Sequence, residues 1–108
     1  MRTLKFIVDG LTLKQDPECD FLGLVPGTEG YLWLECKFSK EWDDCIKVAS
    51  FTSIMGKEYE PQVLTDNKCL IPSDALTRSS FKIKIMGKSV NKRLITNKFT
   101  VVQNGGKT

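Results

Sequence analysis

Histidine is absent from all 108 residues, and with it the side chain that ordinarily serves as general base near neutral pH. Serine and cysteine triads of the usual kind are thereby excluded. Also missing are a GxxxxGK(S/T) phosphate loop and a GxGxxG fingerprint, so nucleotide binding through those devices has no support. No apolar run exceeds a few residues, far short of a membrane span. The start, MRTLKFIVDG, reaches Asp9 before a signal-peptide core can form, and a cytosolic or virion-borne product is expected.

Charge of one sign is not in large excess. The 16 basic and 13 acidic residues leave a net charge of +3, with the surplus late in the chain at Lys82, Lys84, Lys88, Lys92, Arg93, Lys98 and Lys107. A nucleic-acid binder carries a denser patch. Lys82 and Lys84 alternate with Phe81, Ile83 and Ile85, which makes them the wet face of a strand. Phe81 and Phe99 fall in phase with apolar neighbours and are expected inside, leaving no stacking platform among the lysines.

The four cysteines, Cys19, Cys36, Cys45 and Cys69, show no CxxC spacing, which argues against a zinc site. Cys36 shares the phase of Leu32, Leu34 and Phe38 and is expected to pack as a small hydrophobe. Two disulfides stay open on count alone, but without a secretory signal free thiols are expected. Asp43 and Asp44 are adjacent, and neighbours along an extended chain point to opposite sides, so they read as a solvated corner and not an acid pair. Neither a catalytic residue nor a cofactor or metal site emerges, and no enzyme is expected.

What is present is strand pattern. The 41% hydrophobic and 27% charged composition is that of a globular domain, and a chain of this size removes roughly two-thirds of its unfolded surface from water on folding. In YLWLECKFSKEWDDCIKVASF, Leu32, Leu34, Cys36 and Phe38 alternate with Tyr31, Trp33, Glu35 and Lys37, the period of a strand buried on one face. The polar SKEWDD corner follows, then a second run from Cys45 to Phe51, and the two runs are expected to form an antiparallel pair. Ile46 and Val48 compete there with Ala49 and Phe51 for the inward face, a conflict that a bulge reconciles.

Elsewhere, Leu4, Phe6 and Val8 mark a first strand with an Asp9-Gly10 turn. The Pro- and Gly-bearing stretch from Gln15 to Gly30 is a loop whose Phe21, Leu22, Leu24 and Val25 cover one end of the core. Pro61 implies an edge position, Asp66-Asn67 a tight connection, and Pro72 the end of a short strand at Cys69 to Ile71. One helical turn is predicted at SDALTRSS with Ser73 as its cap. Phe81 to Met86 is a strand ended by Gly87, and Leu94 to Val102 is the last strand. The sum is an all-β fold: an antiparallel immunoglobulin-like β-sandwich of about seven strands with at most one short helical turn. Residues 1–103 form its single domain and 104–108 a flexible C-terminal tail.

Three aromatic residues are the partner-binding candidates. Tyr31 and Trp33 lie on the face of their strand opposite the core, either as a protein contact or covered by the loop before them. Trp42, at the corner, is the third, with packing over the sandwich edge as its alternative.

The order of motifs FSKEWDDCIKVASF, NKCLIPSDAL and FKIKIMGKSVNKRLITNKFTVVQNG resembles a domain of tailed-bacteriophage structural proteins. In that family an F-(S/T)-x-x-W-D-(G/D) corner precedes a strand ending in Phe, a C-x-I-P-x-x-x-L element follows, and the last hairpin carries G…R-(I/L)-x-T-N. The matching positions are Phe38, Ser39, Trp42, Asp43 and Asp44, then Cys69, Ile71, Pro72 and Leu76, then Gly87, Arg93, Leu94, Thr96 and Asn97. The resemblance covers residues 31 to 105.

It implies a non-enzymatic virion protein acting by attachment: a capsid decoration, a head-fibre-like protein, or a small tail or baseplate component. Relatives of this kind are usually N-terminal modules of longer baseplate or tail-fibre proteins, whereas a single domain is expected to be a free-standing piece. The implied partners are phage capsid or tail subunits, with self-association allowed and neither nucleic acid nor membrane involved, and the implied location is the virion. The alternative is a phage-encoded intracellular inhibitor of a host enzyme or defence system that acts by steric blockade.

Overall fold

A computed structural model describes residues 1–103; the expected tail at 104–108 lies outside the described residues. The chain is all-β, with nine strands in two sheets among the described residues. Strands β1 (Arg2–Asp9), β2 (Thr12–Gln15), β3 (Leu32–Phe38) and β6 (Lys68–Leu70) form the first sheet in the order β2-β1-β3-β6. Strands β4 (Ile46–Thr52), β5 (Gln62–Val63), β7 (Ser80–Lys88), β8 (Arg93–Ile95) and β9 (Phe99–Val102) form the second, in the order β5-β4-β7, with β8 and β9 both pairing the far side of β7. Leu4, Phe6 and Val8 of β1, Leu32, Leu34 and Cys36 of β3, Ala49 and Phe51 of β4, and Phe81, Ile83 and Ile85 of β7 point inward and merge into one core.

The strand arrangement departs from expectation in three ways. β1 and β3 run parallel, Leu4 opposite Leu34 and Phe6 opposite Cys36, so the sandwich is not wholly antiparallel. The long loop from 16 to 31 makes this pairing feasible, because it carries the chain back to the start of the sheet. Along the way it seals one side: Phe21 packs edge-on against Phe6 and Phe99, with centroids 5.2 and 6.2 Å away, and Leu24 is buried. Leu22 and Val25, expected to help, are exposed.

Second, β3 and β4 are not a hairpin. β3 pairs β1 and β6 while β4 pairs β5 and β7, so the corner between them carries the chain from one sheet to the other. Trp42 is the reason. It is buried at the end of a 3₁₀ turn, Lys40–Trp42, and pulls the corner across the open end of the sandwich. This turn and a second, Ser73–Thr77, make two helical turns where at most one was expected; the second is preceded by Pro72 and has no side-chain cap from Ser73.

Third, there are nine strands and not about seven. The Asp9-Gly10 turn yields a true hairpin partner, β2, with Gly10 at φ 61°. The stretch Leu94 to Val102 divides into β8 and β9 at Thr96, whose hydroxyl accepts the Ile85 N–H at 3.0 Å in place of a ladder carbonyl. Ile95, expected to face inward with Phe99, is consequently exposed. The Asp66-Asn67 connection is as tight as its residues suggest, both at positive φ, with the Thr65 N–H donating to Lys68.

Candidate functional site

β4 reads IKVASFT, apolar in both strand phases. Its ladder to β7 runs without interruption from Ile46 opposite Lys88 to Thr52 opposite Lys82, so no bulge reconciles the phases. Ala49 and Phe51 are buried, which leaves Ile46 and Val48 on the outer face. β7 has the same property: Phe81, Ile83 and Ile85 point in, Lys82 and Lys84 point out, and the next outward position is Met86.

Register turns these separate residues into a surface. Val63 lies opposite Val48, Val48 opposite Met86, and Met86 opposite Ile95, an apolar row across β5, β4, β7 and β8. Three interstrand steps make the row roughly 15 Å long. Beside it, Ile46 lies opposite Lys88 and Lys88 opposite Arg93. Val63 is 61% exposed, Ile46 69% and Ile95 44%. Val48, Met86 and Ile95 of the row, with Ile46, form the floor of a shallow depression of about 710 Å³, with Val90 at the tip of the β7–β8 hairpin and Asp44, Lys88 and Arg93 at its margin. Single exposed apolar residues are ordinary on a protein surface, whereas a continuous row with a charged margin is a candidate contact surface.

The outer face of the other sheet differs. There Lys5, Glu35 and Lys68 form one cross-strand row, and Thr3, Trp33 and Leu70 the next. Trp33 is partly buried between those neighbours, and Tyr31, just before β3, is half exposed beside Arg2 and Leu24. The loop before them runs along the first half of β1, which β2 leaves unpaired, where Arg2 donates to the carbonyls of Asp20 and Leu22 and the Cys19 Sγ meets the Lys5 N–H. Trp42 offers nothing to a partner in this fold: it is wholly buried, its Nε1–H donates to the Gly10 carbonyl at 2.7 Å, and Phe38 packs beside it at 5.2 Å. The three aromatic candidates are therefore not brought together.

The corner and late-hairpin motifs have structural roles that sequence alone does not display. Gly87 was expected to end its strand, yet β7 continues to Lys88, and a Cβ at Gly87 would lie 2.6 Å from the Trp42 ring. The glycine is the hole into which the tryptophan fits. Ser39 completes the corner, its Oγ accepting the Gly10 N–H at 2.9 Å. The same hydroxyl, beside the exposed Glu41 carboxyl, holds that group below the usual carboxylate range. Asn97 spans the two sheets: its Oδ1 accepts the Leu13 N–H at 2.7 Å and its Nδ2 donates to the Leu13 carbonyl at 3.2 Å, which occupies the free edge of β2.

All four cysteines are free thiols. Cys36 and Cys69, on neighbouring strands β3 and β6, are buried, and burial raises both, Cys69 to about 12. Thiolate chemistry needs the opposite shift. Asp43 and Asp44 are both exposed, and among the described residues no three His, Cys, Asp or Glu side chains gather as a metal site.

The apolar row was missed at sequence level because it belongs to four strands. Its local signals were the two competing phases of β4 and the change from Lys to Met at the third outward position of β7, and only register shows that they coincide. No family model matches the chain, and no curated protein or solved structure matches it.

Proposed function

We propose that this protein is a non-enzymatic attachment protein of a tailed-bacteriophage particle, an immunoglobulin-like sandwich that binds capsid or tail subunits through the outer face of its second sheet. The observation that carries the attachment reading is the Val63–Val48–Met86–Ile95 row, apolar and open to water across four strands. Its association with phage particles rests on the order and spacing of the corner, CLIP and RLITN motifs.

The mechanism is pre-organised contact. The row sits on regular sheet backbone, so little conformational entropy is lost when a partner covers it. Removal of its side chains from water supplies affinity, on the order of 1.5–3 kcal/mol for each one fully covered. The charged margin selects orientation, and repetition on a symmetric particle multiplies a weak single contact into stable occupancy. Tyr31 and Trp33, on the other sheet, form a second and smaller contact.

Quantitative proteomics of particles purified from the phage that carries this gene tests the reading. Detection at a fixed stoichiometry to the major capsid or tail protein is expected. Early expression together with absence from particles contradicts it and points to the intracellular inhibitor.

A further inference from the structure

We propose that the apolar outer face of the second sheet is covered in the free protein by a second copy of this chain, as a twofold dimer in which β4 of one copy lies on β7 of the other and which a capsid or tail subunit displaces on attachment. This inference rests on the reading of that face as a contact surface. The argument is the division of charge between the two central strands. On this face β4 presents Ile46, Val48, Ser50 and Thr52, preceded by the acidic Asp44, and carries no base. β7 presents Lys82, Lys84, Met86 and Lys88, and no acid; Arg93 on β8 adds to the basic side.

Such a face complements itself about one axis and not the other. A twofold axis parallel to the strands and between β4 and β7 sets Val48 on Met86, Val63 on Ile95, and Asp44 beside Lys88 and Arg93 of the second copy. An axis across the strands sets β7 on β7 and opposes Lys82 to Lys88. The first arrangement is the ordinary aligned packing of two sheets, crossing at about 30°. In it Lys84 falls on Ser50 and Lys82 on Thr52 of the second copy, neutral polar partners at one end of the face.

The size of the patch sets the strength. Four strands at about 4.8 Å and three outward rows at about 7 Å give a projected area of roughly 300–400 Å², below the ~800 Å² per partner of a tight complex. A weak dimer is expected, one that a capsid or tail subunit can displace.

Sedimentation velocity from about 5 to about 500 µM tests this on four proteins: the native chain, Asp44→Lys, the pair Lys88→Glu with Arg93→Glu, and all three changes together. The native chain should shift from monomer to dimer across the series. Asp44→Lys and the basic-side pair should each weaken dimerisation about tenfold, and the triple variant should recover to within about threefold of native. All the substituted residues are exposed, and an unchanged thermal midpoint verifies folding. A native chain that stays monomeric throughout overturns the dimer, as do charge reversals that fail to rescue one another. Either failure leaves the attachment reading standing if the chain is still found in particles, whereas dimerisation without particle association defeats that reading alone.

Discussion

Trp42 and Gly87 act as one residue pair. The indole is fixed by its hydrogen bond to Gly10, and Gly87 is fixed by its ladder positions opposite Lys47 and Leu94, so neither yields to an added methyl group. Gly87→Ala is expected to lower stability by about 1–3 kcal/mol through overpacking, and Trp42→Ala by about 3–5 kcal/mol through loss of the largest buried side chain. With the indole gone the closest contacts of the added methyl are removed and the Cys45 Cβ at 3.2 Å is left, so the double variant should cost less than the sum, as denaturant unfolding of the four proteins of the cycle will show. Strict additivity contradicts the pairing. The thiols give a second residue-scale test. Cys19 and Cys45 should react with an alkylating reagent in the native protein at pH 8, and Cys36 and Cys69 only after unfolding. Because burial raises their folded values, these two groups add stability that is complete below their unfolded value near 9 and is lost as pH rises toward about 12. Stability should therefore fall above pH 9, and less steeply in Cys36→Ala.

Among the elements, the break between β8 and β9 is the informative one. Thr96 keeps the bonding of Ile85 satisfied while the chain steps aside, and Asn97 uses that step to grip Leu13 in the opposite sheet. Asn97→Ala should lower stability by about 1–2 kcal/mol and speed amide exchange at Leu13 disproportionately, since its edge loses the side chain that bonds both its N–H and its carbonyl. Exchange unchanged at Leu13 sinks this role. Much of the element pattern was legible in the residues: the phases of β1, β3 and β7, the Gly10 and Asn67 turns, and the edge position beside Pro61 follow from period-two alternation and turn chemistry. The sheet to which each strand belongs was not. Local pattern carries the inward face of β3 but neither that of β4, whose two apolar phases compete, nor the path of the corner between them, which a single buried tryptophan decides. Thr96 and Asn97 likewise read as strand residues until their partners, 11 and 84 positions away, are known.

At the scale of the molecule, the two outer faces are unequal. One is crossed by Lys5, Glu35 and Lys68, an alternation of charge that water satisfies. The other is crossed by Val63, Val48, Met86 and Ile95, and leaves unfavourable surface in contact with water unless something covers it. On the proposed reading the function lies on that face. Val48 is the central position of the row and its neighbours are all outward, so Val48→Lys replaces apolar surface by charge without touching the core. The most direct measurement is the copy number of Val48→Lys in particles assembled beside native protein, with the thermal midpoint as the control for folding. The account predicts a loss of at least about tenfold in incorporation at an unchanged midpoint. Incorporation equal to that of the native chain contradicts it.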